Sequence, residues 1–445
     1  MPVWSVTTAR SDAGVLSIGG VDVRDLAAQY GTPLYVVDEA DFRARARAFR
    51  DHFGAAFGRY GTTCTAFYAS KALLSSQIAA WAYEEGLGVD VASGGELALA
   101  LRGGVPGHLL TLHGNNKSDA ELAAALEAGV GHIVVDSLDE IAVLERIAAA
   151  AGVRAPVLVR VTTGVHAGGH EYIATAHEDQ KFGLSLATGA AMAALDAVHA
   201  SPSLELRGIH THIGSQILAI DAFRESAERM MRLRADFAAR TGYEMPEVDL
   251  GGGYAIAYTP EAEEMDIEKV SLEIADAVAA GVEAAGAGWP AIGIEPGRAI
   301  AGPAGTTLYT VGVVKRVELE DGGTRQYVAV DGGMSDNMRT ITYGAEYTAA
   351  VASRMSDAAP ALSRVVGKHC ESGDIVVRDV DLPSDVTRGD LLAVPATGAY
   401  GRVMSSNYNA LLRPAVVAVR EGSSRVVIRR DTLEDLFSWD VPTGN

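Results

Sequence analysis

The chain is short of several things, and each shortage excludes something. Only two cysteines, Cys64 and Cys370, occur in 445 residues. That rules out a disulfide framework and a cysteine-rich metal centre, and it fits a reducing cytoplasm. Basic residues are in deficit, 37 Lys and Arg against 57 Asp and Glu, for a formal charge of -20. Such a balance argues against nucleic acid or an anionic membrane surface as partner. An acidic chain that receives an anion must gather its arginines locally, so arginines inside motifs carry weight. No apolar run is long enough to span a bilayer, and Met1–Ser11 lacks a basic stretch followed by an apolar one, so neither a membrane segment nor a signal peptide is expected.

What is present is the balance of a soluble globular enzyme, 48% hydrophobic and 21% charged. The length suits a large barrel with an attachment. From about residue 65 a short Val/Ile/Leu strand ending in small or polar residues alternates with an Ala/Leu-rich helix. The strands are expected at Thr65–Ser70, Gly88–Ser93, Leu109–Gly114, His132–Ser137, Pro156–Val161, Leu206–Ile213, Glu247–Gly253 and Ala291–Gly297. Continuous apolar strands in series with helices predict an α/β fold with a (β/α)8 TIM-type barrel. One connection, Thr162–Gly183, is long and rich in Gly and His, the kind of loop that is often functional. After Arg298 the pattern becomes strands without regular helices. We expect a barrel over 39–298 and a mainly β second domain built from 1–38 and 299–445.

Functional groups of such barrels lie at the C-terminal strand ends. The first strand runs into Lys71, which could form a Schiff base with an aldehyde or could be a surface lysine. The sixth carries His210 and His212, on one face of the strand, followed by Ser215. These histidines could be core residues, or one could stack on a planar ligand with Ser215 near a phosphate. No metal is expected, because the sequence sets no carboxylate or third histidine beside them. The seventh ends in Gly251-Gly252-Gly253, a flexible turn or a place where backbone N–H groups approach an anion. The eighth ends in Glu295-Pro296-Gly297-Arg298, a surface ion pair or a carboxylate for a protonated pyridine with amides for a phosphate. Each is weak alone. Together they are the parts that pyridoxal 5'-phosphate needs.

The chain from about Pro33 to about Leu433 resembles the fold-type III pyridoxal-phosphate decarboxylases. The resemblance is carried by Phe67–Ala72, His210–Gln216, Asp249–Gly253, Glu295–Arg298, Asp331–Asp336, His369–Asp374 and Gly398–Tyr400. It implies an alanine-racemase-like fold and a role for each matching residue. Lys71 is the Schiff-base lysine, His212 stacks on the cofactor ring, and Glu295 pairs with the pyridine nitrogen. Ser215, Gly252, Gly253, Gly297 and Arg298 hold the phosphate. Arg298, Arg339, Tyr343, Glu371 and Tyr400 face the substrate, Tyr400 also lies against the cofactor, and Cys370 is the proton donor. It further implies a cytoplasmic homodimer whose active sites are shared, the segment around Cys370 coming from the other subunit. Cys370-Glu371, where ornithine-type relatives have Cys-Asp, and Arg339 with Tyr343 favour a substrate with a second carboxylate, meso-2,6-diaminopimelate, giving L-lysine and CO2. Ornithine-, arginine- and carboxynorspermidine-specific relatives and a non-catalytic cofactor carrier are the alternatives. Asp90 and Lys181 rank lower, as supports. Two departures stand out: Ala255 replaces a usual glycine, and Gly401-Arg402-Val403-Met404 differs from the usual rim.

Overall fold

The computed structural model describes residues 3–165 and 181–441. It divides into two compact units, one of Arg45–Ala255 with Met265–Gly297, the other of Met1–Ala44, Ile256–Glu264 and Arg298–Asn445. Sequence alone gave no sign that Ile256–Glu264, inside the barrel stretch, would cluster with the second unit.

The first unit is a closed barrel of eight parallel strands, Cys64–Ala69, Gly88–Val91, Leu110–Leu112, His132–Val135, Ala155–Thr162, Leu204–His210, Glu247–Asp249 and Ala291–Ile294. Closure comes where Ile133–Val135 pairs with Val157–Val159 and Ile294 with Ala66. Most strands end two to four residues earlier than the sequence suggested. At three of these ends a glycine with positive φ, Gly114 at +123°, Gly214 at +150° and Gly251 at +70°, turns the chain out of the sheet at the mouth. Helices follow the strands, and serines start several of them. The side chains of Ser75, Ser93, Ser118 and Ser137 accept from the N3 amides of their helices, with a full capping box at Ser118 and Glu121. Each such cap contributes about 1 kcal/mol. Most of the Thr162–Gly183 connection, residues 166–180, lies outside the described residues.

The second unit is mainly β. Its large sheet runs Ile375–Pro383, Pro360–Val366, Thr324–Val330, Gly305–Glu318, Leu34–Asp38, Ala415–Arg420 and Ser423–Ile428, with Ala350–Val351 and Leu391–Val394 attached to the side. Leu34–Asp38 pairs with Gly305–Leu308 on one edge and with Ala415–Val419 on the other. An N-terminal strand is thus central to a sheet made otherwise of C-terminal ones, so this unit cannot form until both chain ends are available. Its core includes Leu16, Ile18, Val36, Leu308, Ala393 and Val417. Burying each of the large members contributes about 1.5–3 kcal/mol. The short helices Arg298–Ala304 and Arg339–Tyr343 and the strand Pro360–Val366 had no clear sequence signal. The two helices are too short to show a 3.6-residue period.

Candidate active site

Past the last strand residues, the barrel mouth is stitched by backbone hydrogen bonds. Thr211 N donates to Asp249 O at 3.0 Å, Glu295 N to Gly251 O at 2.9 Å, and Ala69 N to Pro296 O at 3.1 Å. Neighbouring strand ends are therefore fixed to one another just where the motif residues sit. Two glycines make the fit possible. Gly253 has φ +116°, and a Cβ there would lie 2.7 Å from Gly214 O and 2.8 Å from Ile217. A Cβ on Gly297 would lie 2.8 Å from that of Ala69. Tyr254, buried next to the glycine run, packs against Phe49, Phe53 and Phe223 with ring centroids 5.1–5.6 Å away. The loop is anchored by an aromatic cluster, so the glycine run is not a flexible turn.

Lys71, itself exposed, follows the first strand on a short 3-10 turn, Ser70–Ala72, whose other two residues are buried. Its ammonium lies close enough to act electrostatically on both Asp90 and His212. The His212 ring is oriented by Gly252, whose N–H donates to Nδ1 at 3.1 Å. Burial, with Lys71 nearby, pushes the His212 pKa well below the ordinary value. A neutral ring with a fixed plane is what stacking on a heterocycle needs.

Glu295 lies at the centre of the mouth. Its Oε1 is 3.0 Å from Nε2 of His210 and 3.0 Å from Nε2 of His113, and His113 Nε2 is 3.5 Å from Asp90 Oδ1. These approaches lie off the hydrogen-bond axis, so Glu295 Oε1, His113 Nε2, both His210 ring nitrogens and both Asp90 oxygens are buried polar atoms without a well-formed hydrogen bond. Such a group of orphans inside a barrel mouth is the signature of a site that completes itself with a ligand. The charges are sorted. Burial lowers the His113 pKa, but Glu295 and Asp90 outweigh it and raise it to about 9. Burial wins for His210, which falls to about 4. Asp90 rises to about 6 through burial and repulsion by Glu295, and Asp249 rises well above the carboxylate range for the same two reasons. Burial would raise Glu295 as well, yet His210 and His113 hold it well below its ordinary value. One carboxylate is thus kept ionised while its neighbours are pushed toward neutrality.

The second unit carries a different arrangement. Arg298 and Arg339 are buried, 8% and 6% exposed. Arg298 donates to the Tyr258 hydroxyl and lies 4.7 Å from the Tyr400 ring centroid. Arg339 donates to the Tyr347 hydroxyl at 2.5 Å and lies 4.8 Å from the Tyr258 ring centroid. Burial would raise the Tyr258 pKa, but the two guanidinium groups lower it. Two buried cations held by phenols, with no carboxylate facing Arg339 in these contacts, have the chemistry to receive an anion.

Cys370 and Glu371 are exposed on the turn His369–Gly373, whose first residue, His369, is buried. The turn is firmly braced. Asp374 accepts from Met334 N at 2.6 Å and His369 N at 2.8 Å; Asn409 Oδ1 accepts from Cys370 N at 3.3 Å and meets His369 Nδ1 at 3.0 Å; and His369 Nε2 meets Ser335 Oγ at 2.8 Å.

The structure brings Lys71, His212 and Glu295 to one barrel mouth, with Ser215, Gly252, Gly253 and Gly297 in its loops. Arg298, Tyr400 and Arg339 belong to the second unit's arginine and tyrosine cluster. Tyr343, partly buried, ends the short helix that begins at Arg339. Asp90 joins the Glu295 cluster. Lys181 instead lies over the Phe182 ring, 4.6 Å from its centroid. Sequence reading missed His113, Tyr258 and Tyr347. A signal existed for His113, which directly follows the third strand. Tyr258 and Tyr347 lie in loops with no motif. The sequence set neither carboxylate nor third histidine beside His210; the fold supplies both, Glu295 and His113.

Residues 39–302 match the family model described as pyridoxal-dependent decarboxylase, pyridoxal binding domain. The chain belongs to this family of pyridoxal-dependent decarboxylases. Within it, the full-length likeness is to diaminopimelate decarboxylases. The chain is 52% identical to the diaminopimelate decarboxylase of Mycobacterium tuberculosis over 443 residues, 99% of this chain and 98% of that protein. It is 45% identical to the Bacillus subtilis enzyme of the same name over 436 residues, 98% and 97% of the two chains. The crystal structure of diaminopimelate decarboxylase from M. jannaschii with L-lysine superposes with a TM-score of 0.88 at 30% identity, covering 98% of each chain.

Proposed function

We propose that the protein decarboxylates meso-2,6-diaminopimelate to L-lysine and carbon dioxide, the last step of lysine biosynthesis, with pyridoxal 5'-phosphate as its cofactor. The observation that carries this reading is the ionised, buried Glu295 at the same barrel mouth as Lys71 and His212. The orphaned polar atoms and the glycine cradle fit the cofactor's pyridine and phosphate ends. When bound, the cofactor supplies an electron sink for the pair left by the departing carboxylate. Lys71 supplies the amine for covalent attachment. His212 covers one face of the ring, and Glu295 holds the proton at the pyridine nitrogen. Ser215, Gly252, Gly253, Gly297 and the Arg298 amide take the phosphate.

Arg298 and Arg339, with Tyr343 and Tyr400, receive the carboxylate at the L-centre of the substrate, and Glu371 receives its amine. Cys370 delivers the proton to the carbon that has lost its carboxylate. Its thiol is exposed within its own chain although its turn is braced, as expected of a group that works in a second subunit. We therefore extend the reading to a cytoplasmic homodimer with shared active sites and with no nucleic-acid or membrane partner. Among the described residues, no helix is long and apolar enough to cross a membrane.

Product analysis with meso-diaminopimelate, ornithine and arginine at equal concentrations tests the substrate; lysine should dominate, and faster release of putrescine or agmatine would refute the assignment. Mixing Lys71→Ala with Cys370→Ala, each nearly inactive alone, tests the shared site. Activity should return on subunit exchange, and its failure to return between exchanging subunits would remove that part of the reading.

A further inference from the structure

We propose that His113 is a positioning residue that braces the pyridine-facing carboxylate, its imidazole wedged between Asp90 and Glu295 so that Glu295 stays charged and presents its Oε2 to the ring. This deepens the proposed function and rests on Glu295 acting at the pyridine nitrogen. Four observations carry it. His113 directly follows the third barrel strand, and its N–H donates to Val91 O at 2.8 Å, so its backbone is part of the rigid barrel. Its Nε2 lies 3.0 Å from Glu295 and 3.5 Å from Asp90. Its ring meets that of His210 edge-on, with centroids 5.0 Å apart, which limits rotation. Both imidazoles converge on the same oxygen, Oε1 of Glu295.

The two histidines differ in charge. His210 is fully buried and its pKa falls to about 4, whereas His113 is raised to about 9. At neutral pH His113 is therefore the cation of the pair. Every charged or titratable group facing Glu295 has to be weighed. Asp90 and Asp249 repel its charge; the cations His113, Arg160 and Lys71 lie on the other side of the balance, with His210 and His212 neutral. Among these, the cation in contact with Glu295 is His113. Without it, two buried carboxyls would face each other across the mouth with little compensation, and the first response of such a pair is for one of them to take up a proton. A protonated Glu295 could no longer hold a proton on the heterocycle.

The test compares parent, His113→Gln, His113→Ala, Glu295→Gln and the double variant His113→Gln/Glu295→Gln, all purified with cofactor. Three quantities are read: the visible absorbance of bound pyridoxal phosphate as a function of pH, its affinity for the apoprotein, and kcat with KM. Removing His113 should shift the pH profile of the absorbance, weaken cofactor binding about tenfold or more, and lower kcat about 10–100-fold with little change in KM. His113→Gln, which keeps a donor but no charge, should retain more cofactor affinity than His113→Ala while shifting the pH profile in the same way. In the double variant the second change should add almost nothing, because both act on one interaction. Unaltered pH profiles in both His113 variants, or full additivity in the double variant, would overturn the proposal. So would stoichiometric metal in the parent that is lost with His113, which would assign the histidines and Glu295 to a cation. A parent protein that binds no pyridoxal phosphate would instead defeat the functional reading itself.

Discussion

The barrel mouth and the Cys370 turn solve opposite problems. At the mouth, Glu295, His210 and Asp90 are buried and His113 is partly so; charged and neutral groups are set against one another, with polar atoms still unsatisfied. At the turn, Cys370 and Glu371 are exposed, while the backbone that carries them is held by hydrogen bonds that its amides donate to Asp374 and Asn409. One region stores electrostatic tension for a ligand to relieve. The other stores no tension and supplies precise placement of a reactive group. The difference teaches that a site can be prepared in two ways, through its field or through its frame.

Substitutions can break each side separately. The largest effect is expected for Lys71→Ala, which removes the attachment point: the visible band of the cofactor should vanish and turnover fall by at least about 10³-fold. Cys370→Ala should lower kcat about 10²–10³-fold, the usual weight of a positioned acid, while the band remains. Loss of the band in that variant would contradict the separation of field and frame. Arg339→Met should raise KM for meso-diaminopimelate by about tenfold or more through the loss of a charge-assisted contact, with a smaller change in kcat. A drop in kcat alone would argue against substrate binding there.

A pH scan sharpens the electrostatic half. The pKa of His113 rises on folding from an ordinary 6.5 to about 9. A raised value means that its stabilising contribution is complete below about 6.5 and is lost as pH climbs through about 9. The melting temperature of the apoprotein should therefore fall across that window more steeply in the parent than in His113→Gln. Parallel curves would count against the charge pair. The smallest effect is expected for Ala255→Gly. Ala255 is 2% exposed and has an ordinary backbone angle, so losing its methyl should cost about 1 kcal/mol or less, read as a modest fall in melting temperature with unchanged kcat.

The same contrast explains what the sequence could tell. The barrel was legible because eight apolar strands in series with helices leave a periodic trace, and Lys71, His212 and Glu295 were legible because each closes one of those strands. The sorting of charges was not legible. His113, His210 and Glu295 come from three different strand ends, and only closure of the barrel brings each histidine to 3.0 Å from Glu295. Tyr258 and Tyr347 were hidden for a similar reason, since their value lies in the arginines they touch and not in any local pattern. The motif Asp331–Asp336 had the opposite character. It carried part of the family resemblance, and its hydrogen bonds are architectural: Asp331 accepts from Thr310 N at 2.9 Å, and Asp336 accepts from Gly333 N at 2.9 Å and from the Tyr309 hydroxyl.

Asp374 gathers the amides of Met334 and His369, whereas among the described residues the Glu371 carboxylate reaches Ser372 and Gly373 within its own turn. The scaffold and the Glu371 side chain are therefore uncoupled. Position 371 can change identity without rebuilding the segment that holds it, so under the proposed function new substrate preferences are open to single replacements there, while a replacement at 374 forfeits the whole loop. Selection, natural or in the laboratory, would find its freedom at the first position and its constraint at the second.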